Sequence, residues 1–360
     1  MKKLFLADGQ EFKGTSFGAE GDAVGEVVFT TGMTGYLEVL TDPSYFGQIV
    51  IFTFPLIGNY GVPELENFDG CKFCPGVDKT FESPKIWVRG VVIAEESLKY
   101  SHSTAAKNFQ KWLKEQDIPA ISGVDTRQLT QILREHGTIL GKIGTTPDKK
   151  YVDDLNGRFV PSVSPQVIEI MEPENPIGKT VAFIDCGAKN GIFRNFLKRG
   201  IRVIRLPFDQ NPFELNEKFD GIFLSNGPGD PDTVTETIEI AREAIHRKVP
   251  TFGICLGCQM LGLASNGKTK KMKYGHRGVN QPVRDKQSGR CLITTQNHGF
   301  MVDEKSLSKD WEVWFENLND GSVEGIRHKT LPISATQFHP EACAGPEDAE
   351  YLFDEFIEQL

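Results

Sequence analysis

Hydrophobic and polar positions along the chain follow two different patterns. Up to about residue 150, short β-rich runs alternate with turn residues. Glu26-Val27-Val28-Phe29-Thr30, Gln48-Ile49-Val50-Ile51-Phe52-Thr53-Phe54 and Ile86-Trp87-Val88-Arg89-Gly90-Val91-Val92-Ile93 are bounded by Gly, Asp and Pro, as antiparallel strands are. Two helices are expected to follow. One covers about 104–115, with Phe109, Trp112 and Leu113 on one side. The other starts at Asp125, with Gln128 placed for a capping box and Leu129, Ile132 and Leu133 facing inward.

Beyond about residue 178 the runs become short and continuously apolar. Val181-Ala182-Phe183-Ile184-Asp185, Ile201-Arg202-Val203-Ile204-Arg205-Leu206, Gly221-Ile222-Phe223-Leu224-Ser225 and Thr251-Phe252-Gly253-Ile254 alternate with helical stretches. One helix is expected over 191–198. Another runs to about Lys248, its start boxed by Thr233 and Glu236. Such strands need cover on both faces, which predicts a parallel sheet. Between the two patterns, Pro161, Pro165, Pro173 and Pro176 interrupt a stretch with little period. The expected organisation is therefore a domain over 1–150, a linker over 151–177 and a domain over 178–360. The fold class is α/β: a mostly parallel sheet flanked by helices in the carboxy-terminal domain, plus a smaller amino-terminal β-rich α/β domain. Ligands bind such sheets beyond the carboxyl ends of the strands, so the loops after Ser225, Ile254 and Gln337 are the first candidates for a site.

Composition narrows the class. The 360 residues are 39% hydrophobic and 25% charged, which fits a folded globular chain and excludes global disorder. No run approaches the ~20 apolar residues of a membrane helix. After Met1-Lys2-Lys3 only four apolar residues precede Asp8, too few for a secretory core. The formal charge of −9 speaks against a nucleic-acid surface. Seven cysteines with no leader point to the reducing cytoplasm, and their odd number disfavours a complete disulfide framework.

Gly253-Ile254-Cys255-Leu256-Gly257 has the form of a nucleophile elbow with cysteine as nucleophile. A strand enters it, and the apolar stretch Leu256–Ala264 leaves as a helix. The turn is sharp, so small residues flank the nucleophile. The helix amino terminus favours a thiolate, whose parent thiol titrates near ~8.5 when unperturbed. The N–H of Leu256 can hold a developing oxyanion. A base is supplied by Phe338-His339-Pro340-Glu341, which follows the strand-like Ser334-Ala335-Thr336-Gln337. Glu341 can accept from the His339 ring and fix its tautomer, so Cys255, His339 and Glu341 form a candidate triad. The loop Ser225-Asn226-Gly227-Pro228-Gly229-Asp230-Pro231 ends another strand, and Gly229 N–H is a candidate second oxyanion donor.

Other motifs compete for attention. Gly262-Leu263-Ala264-Ser265-Asn266-Gly267-Lys268-Thr269 matches the P-loop letter for letter. Its first glycine lies late in a helix, however, and Gly267 reads as a helix C-cap. Lys268, Lys270, Lys271 and Lys273 read as a solvated loop. Cys71/Cys74 and Cys255/Cys258 are C-x-x-C pairs open to a zinc or dithiol reading, but they fall in different expected domains, and a zinc ligand at Cys255 would quench the nucleophile.

The elbow Gly253-Ile254-Cys255-Leu256-Gly257-Cys258-Gln259 together with His339-Pro340-Glu341 resembles the class I glutamine amidotransferases. Thr31-Gly32-Met33-Thr34-Gly35-Tyr36, Thr41-Asp42-Pro43-Ser44-Tyr45, Gly58-Asn59-Tyr60-Gly61 and Gly123-Val124-Asp125-Thr126-Arg127 resemble the small chains of carbamoyl-phosphate synthases. So do Leu224 to Pro231 and Gln296-Asn297-His298-Gly299-Phe300. The resemblance implies a glutamine-hydrolysing subunit that forms a thioester and passes ammonia to a large synthetase chain. It implies Cys255, His339 and Glu341 as the catalytic residues. Ser44, Gly227, Gly229, Leu256, Gln259, Asn297, Gly299 and Phe300 are implied as contacts for L-glutamine. It places ATP and Mg on the large chain, with no cofactor or metal in this one. It implies a cytoplasmic heterodimer, or a higher oligomer built from it, and leaves open whether arginine, pyrimidines or both draw on the product. No nucleic acid or membrane is expected as a partner.

The chain departs from the family pattern over 63–83, which is long, and over 148–178, which is short. Cys258 stands where bacterial relatives often carry histidine. Three rival readings remain: a stand-alone γ-glutamyl hydrolase on the same fold, a non-catalytic scaffold for the large chain, and a redox or zinc protein.

Overall fold

A computed structural model describes residues 2–147 and 158–360. The chain divides into two units. One holds residues 2–66 and 83–147, the other 67–82 and 158–360.

In the first unit seven strands close into a barrel. Their order is Lys2–Leu6, Ile139–Gly144, Ala23–Thr30, Gln48–Phe52, Gly90–Val92, Pro119–Ser122 and Glu11–Gly18. The barrel is not purely antiparallel. Gln48–Phe52 runs parallel to both Ala23–Thr30 and Gly90–Val92, and Gly90–Val92 is parallel to Pro119–Ser122. Val27, Ile49, Val50, Ile51, Val91, Val92 and Ile121 are buried. Of the 86–93 run only Gly90–Val92 is strand, and the helix expected over 104–115 covers Phe109–Glu115, because Ala105–Lys107 pairs as a strand instead. Thr126–His136 begins at Asp125, whose side chain accepts from the Gln128 N–H at 2.8 Å, and it buries Leu129 and Leu133. Two motifs of the first unit meet in space. The Tyr60 hydroxyl accepts the N–H groups of Gly35 and Tyr36 at 2.9 and 3.0 Å. Tyr36 stacks on the Tyr60 ring at 4.0 Å and donates its hydroxyl to Gly61 O at 2.6 Å.

The second unit is built on an eleven-stranded sheet. Its centre is parallel, in the order Arg202–Pro207, Thr180–Asp185, Gly221–Leu224, Thr251–Ile254, Ile333–Thr336. Antiparallel strands extend it on both sides. The expected mostly parallel sheet is thus parallel where helices cover it and antiparallel where hairpins extend it. Strand alternation sends Ala182, Ile184, Ile222 and Leu224 to one face, against Ile240, Ala241, Ala244, Met260 and Leu261. Val181, Phe183, Phe223 and Phe252 point to the other, against Ile192, Phe193, Phe196, Phe353 and Phe356. Both faces are buried, which explains why the strands read as continuous apolar runs.

Several expectations need correction. The linker over 151–177 is no linker from Arg158 onward. Val160–Val163 is a helical turn, and Glu169–Pro173 pairs antiparallel with Arg202–Pro207. Pro161 lies in the helical turn and Pro173 ends the strand, so neither marks a loose tether; residues 151–157 lie outside the described residues. Residues 67–82, assigned to the 1–150 domain, belong to the second unit, where Cys71–Phe73 adds the outermost strand beside Glu169–Pro173. The two C-x-x-C pairs therefore share a unit. Cys71 and Cys74 are joined as a disulfide, and Cys258 is fully buried in a hydrophobic cluster. The helix before Lys248 is Thr235–Arg247. Thr233 does not cap it, since it ends a 3₁₀ turn Pro231–Thr233 held by the Asp230 side chain. The lysine-rich segment is strand and not loop: Thr269–Asp285 pairs with Cys291–Val302, with Lys270, Lys271 and Lys273 exposed. Gly267 does donate to Gly262 O at 3.0 Å, but Asn266 takes the left-handed position at φ 66°. The P-loop-like letters leave a helix and enter a strand, the reverse of the order a phosphate cradle needs.

Candidate active site

Four neighbouring parallel strands deliver the candidate site. Thr180–Asp185, Gly221–Leu224, Thr251–Ile254 and Ile333–Thr336 end on one edge, and their following loops carry Lys189, Gly227 and Gly229, Cys255, and His339 with Glu341. Parallel strands put successive carboxyl ends side by side, so residues distant in sequence converge.

Cys255 sits at φ 55°, ψ −101°, a left-handed backbone that costs a non-glycine residue about 1–3 kcal/mol. Its N–H donates to Thr336 O at 2.8 Å, tying the elbow to the strand that leads to His339. The helix Leu256–Ala264 starts at once. Gly257 is required by packing: a Cβ there would lie 2.2 Å from Leu224 O. The elbow is therefore pressed between its own strand and the neighbouring Gly221–Leu224. The Cys255 thiol is 3% exposed and lies 3.6 Å from Asn297 O.

His339 is anchored through its backbone, with N–H to Thr295 O at 2.9 Å. Its Nδ1 lies 2.6 Å from Glu341 Oε1, while Nε2 is buried with no hydrogen-bond partner among the described residues. A carboxylate at Nδ1 favours the proton there and leaves Nε2 as an acceptor.

Glu341 has a second partner that sequence reasoning did not single out. Lys189, 3% exposed, places Nζ 3.1 Å from Glu341 Oε1 and 2.8 Å from Ala342 O. Burial alone would raise the Glu341 carboxyl. The Lys189 ammonium and His339 outweigh it and hold the group down at about 2. The route to Lys189 is a turn shaped by Asp185, whose Oδ1 accepts from the N–H groups of Gly187 and Ala188, both at 2.7 Å. Asn226 Oδ1 accepts the Lys189 N–H at 3.2 Å. A lysine four residues past a strand end, on the edge already marked for ligands, is the signal that could have exposed it.

The expected pocket residues divide between the units. Gly227 is half-buried and Gly229 exposed, at φ 94°, in the loop beside the elbow. Leu256 and Gln259 lie on the elbow helix. Gln259 Nε2 donates to Phe300 O at 3.0 Å and to Gln337 Oε1 at 3.1 Å, so this side chain couples the helix to the Cys291–Val302 strand. Asn297, Gly299 and Phe300 lie on that strand, near Thr295, which accepts from His339. Ser44 belongs to the first unit, inside the 3₁₀ turn Pro43–Tyr45, with its N–H on Asp42 Oδ1 at 2.8 Å.

Residues 4–143 match the family model for the carbamoyl-phosphate synthase small chain, CPSase domain, and residues 182–359 match that for glutamine amidotransferase class-I. The carbamoyl phosphate synthase arginine-specific small chain of Saccharomyces cerevisiae is 46% identical over 99% of this chain and 87% of its own. That of Aspergillus niger is 45% identical over 99% of this chain and 79% of its own. The multifunctional protein CAD of Squalus acanthias is 48% identical over 99% of this chain, which spans 16% of that longer protein. With both halves matched and relatives of this similarity along nearly its whole length, the chain belongs to the family of carbamoyl-phosphate synthase small chains, glutamine amidotransferase subunits of a ligase.

Proposed function

We propose that Cys255, His339 and Glu341 hydrolyse L-glutamine to glutamate and ammonia, and that the ammonia passes to a large synthetase chain for carbamoyl phosphate synthesis. The observation that carries this reading is the unpartnered Nε2 of His339. His339 lies in the loop that follows the strand beside that of Cys255, while Nδ1 is held by Glu341.

His339 Nε2 takes the Cys255 thiol proton as sulfur attacks the side-chain amide carbon. The carbonyl oxygen becomes an oxyanion facing the Leu256 N–H at the helix amino terminus, with Gly229 N–H as a second donor. The imidazolium, supported by Glu341, gives its proton to the departing nitrogen, and ammonia leaves a thioester. Neutral His339 then deprotonates a water. Attack on the thioester carbon releases glutamate, and the proton returns to the Cys255 sulfur. Lys189 keeps Glu341 ionised throughout. Gly227, Gln259, Asn297, Gly299 and Phe300 are the further glutamine contacts in this reading. ATP and Mg belong to the large chain, and the complex works in the cytoplasm as a heterodimer or a higher oligomer of it.

Glutaminase kinetics with and without a large chain test the proposal. The expected result is slow hydrolysis by the chain alone and at least tenfold stimulation by the partner. Full turnover without it, with longer γ-glutamyl substrates accepted, would favour a stand-alone hydrolase.

A further inference from the structure

Glu82 lies far from the triad in sequence but close to it in the second unit. Its carboxylate is fully buried. Oε2 accepts the Gly191 N–H at 2.9 Å, Oε1 accepts Arg194 Nη2 at 2.6 Å, and the Glu82 carbonyl accepts the Asn190 N–H at 2.8 Å. All three donors belong to the first turns of the helix Asn190–Lys198, which begins right after Lys189.

That turn also touches the catalytic carboxylate. A Cβ on Gly191 would lie 3.1 Å from Glu341 Cγ and 3.1 Å from Glu82 Oε2, so only a bare glycine separates the two side chains. Arg194 reaches past Glu82 and donates to Cys343 Sγ at 3.5 Å. Ala342 and Cys343 hold left-handed backbone at φ 57° and 45°, which non-glycine residues keep only when surrounding contacts impose it. The contacts that impose it are Lys189 on Ala342 O and Arg194 on Cys343.

We propose that Glu82 and Arg194 are positioning residues for the glutaminase reaction: the Glu82 carboxylate fixes Gly191 and Arg194, and these fix the Glu341–Cys343 turn so that Glu341 meets His339. The inference rests on the triad reading above. The segment 67–82 thus does more than extend the sheet, since it brings the buried carboxylate that the turn is built on. Glu82 must be a carboxylate because two N–H donors, Gly191 and Arg194, converge on its separate oxygens. A glutamine has one acceptor oxygen and would set its NH₂ against the other donor.

The test is Glu82→Gln in the full chain, with Arg194→Lys as the second variant and Cys255→Ala as the control. Active sites are counted by stoichiometric alkylation with a γ-glutamyl chloromethyl ketone. Glu82→Gln is expected to lower kcat per active site about tenfold with KM for glutamine within twofold. The acid limb of kcat/KM should move down by about half a pH unit, because His339 must be neutral to take the Cys255 proton and a displaced Glu341 supports its imidazolium less. Arg194→Lys should show the same changes at smaller size. Wild-type kcat and pH profile in Glu82→Gln overturn the proposal. So does a loss that only follows the number of alkylated sites. If Glu82→Gln does not fold, Arg194→Lys decides by the same two readouts. Undiminished turnover in Cys255→Ala would instead sink the triad reading itself.

Discussion

Two buried histidine–glutamate clusters share the second unit, and they are wired in opposite ways. In the first, His339 spends one ring nitrogen on Glu341 and leaves the other unpartnered, while Lys189 holds the carboxylate. In the second, His276 spends both. Nδ1 lies 3.1 Å from Glu324 Oε1 and Nε2 lies 3.0 Å from Asp320. Its neighbour His298 is also occupied at both nitrogens, by Phe300 O at 2.9 Å and Gln296 Oε1 at 3.3 Å. His276, His298 and Glu324 bring three ligand-type atoms within 4.8 Å of one another; both ring nitrogens of each histidine are already hydrogen-bonded, as is Glu324 Oε1. Both clusters set a buried histidine against a buried glutamate. What separates them is whether a ring nitrogen is left for a proton from outside the cluster.

The ionisation differs in the same sense. Burial alone would lower His276, but the hydrogen bonds and charges of Asp320 and Glu324 outweigh it and raise the imidazole to about 9. Burial lowers His298, against the pull of Glu324. The second cluster thus keeps a resident imidazolium between carboxylates, and the first keeps a carboxylate between a lysine ammonium and an imidazole.

The comparison can be broken most sharply at the thiol. Cys255→Ala should reduce glutamine turnover by about 10³-fold or more, since the thioester of the proposed reaction forms on its sulfur. Next comes the lysine. With Lys189→Met, burial raises the Glu341 carboxyl against His339 alone, so protonation enters the working range from the acid side. Turnover should fall about 10- to 100-fold at pH 6 and less at pH 8, read as a shifted acid limb of kcat/KM. The smallest catalytic effect is expected in the second cluster. His276→Gln should leave kcat within about threefold and act on stability. A histidine raised on folding favours the folded state fully below about 6.5 and loses that contribution as pH rises through about 9. The wild type should therefore lose about 2 kcal/mol of unfolding free energy between pH 6.5 and 9.5, and His276→Gln should be flat over that window. Urea unfolding at both pH values measures it. A large kcat loss in His276→Gln would erase the distinction between the clusters.

Local pattern carried a good part of this molecule. The run of the second-half strands, the helix Leu256–Ala264 and the cysteine at its head follow from continuous apolar segments and a small-residue turn, which are properties of adjacent residues. His339 and Glu341 were legible for the same reason, as neighbours across one proline. The asparagine at Asn266, the 3₁₀ turn that displaces Thr233 from a cap and the strand made of the lysine-rich segment were not. In each, a turn or pairing partner outside the local window overrode propensity.

By itself, then, the sequence determined which residues could do the chemistry and that one sheet edge would hold them. Only the tertiary structure decided how their charges and free nitrogens are arranged. Lys189 becomes the counter-ion of Glu341, Glu82 comes to lie across a glycine from it, and residues 67–82 leave the first unit to join the second. The reason is that a side chain's proton depends on the groups within a few ångströms of it, and those groups are assembled by parallel strand pairing between segments far apart in the chain.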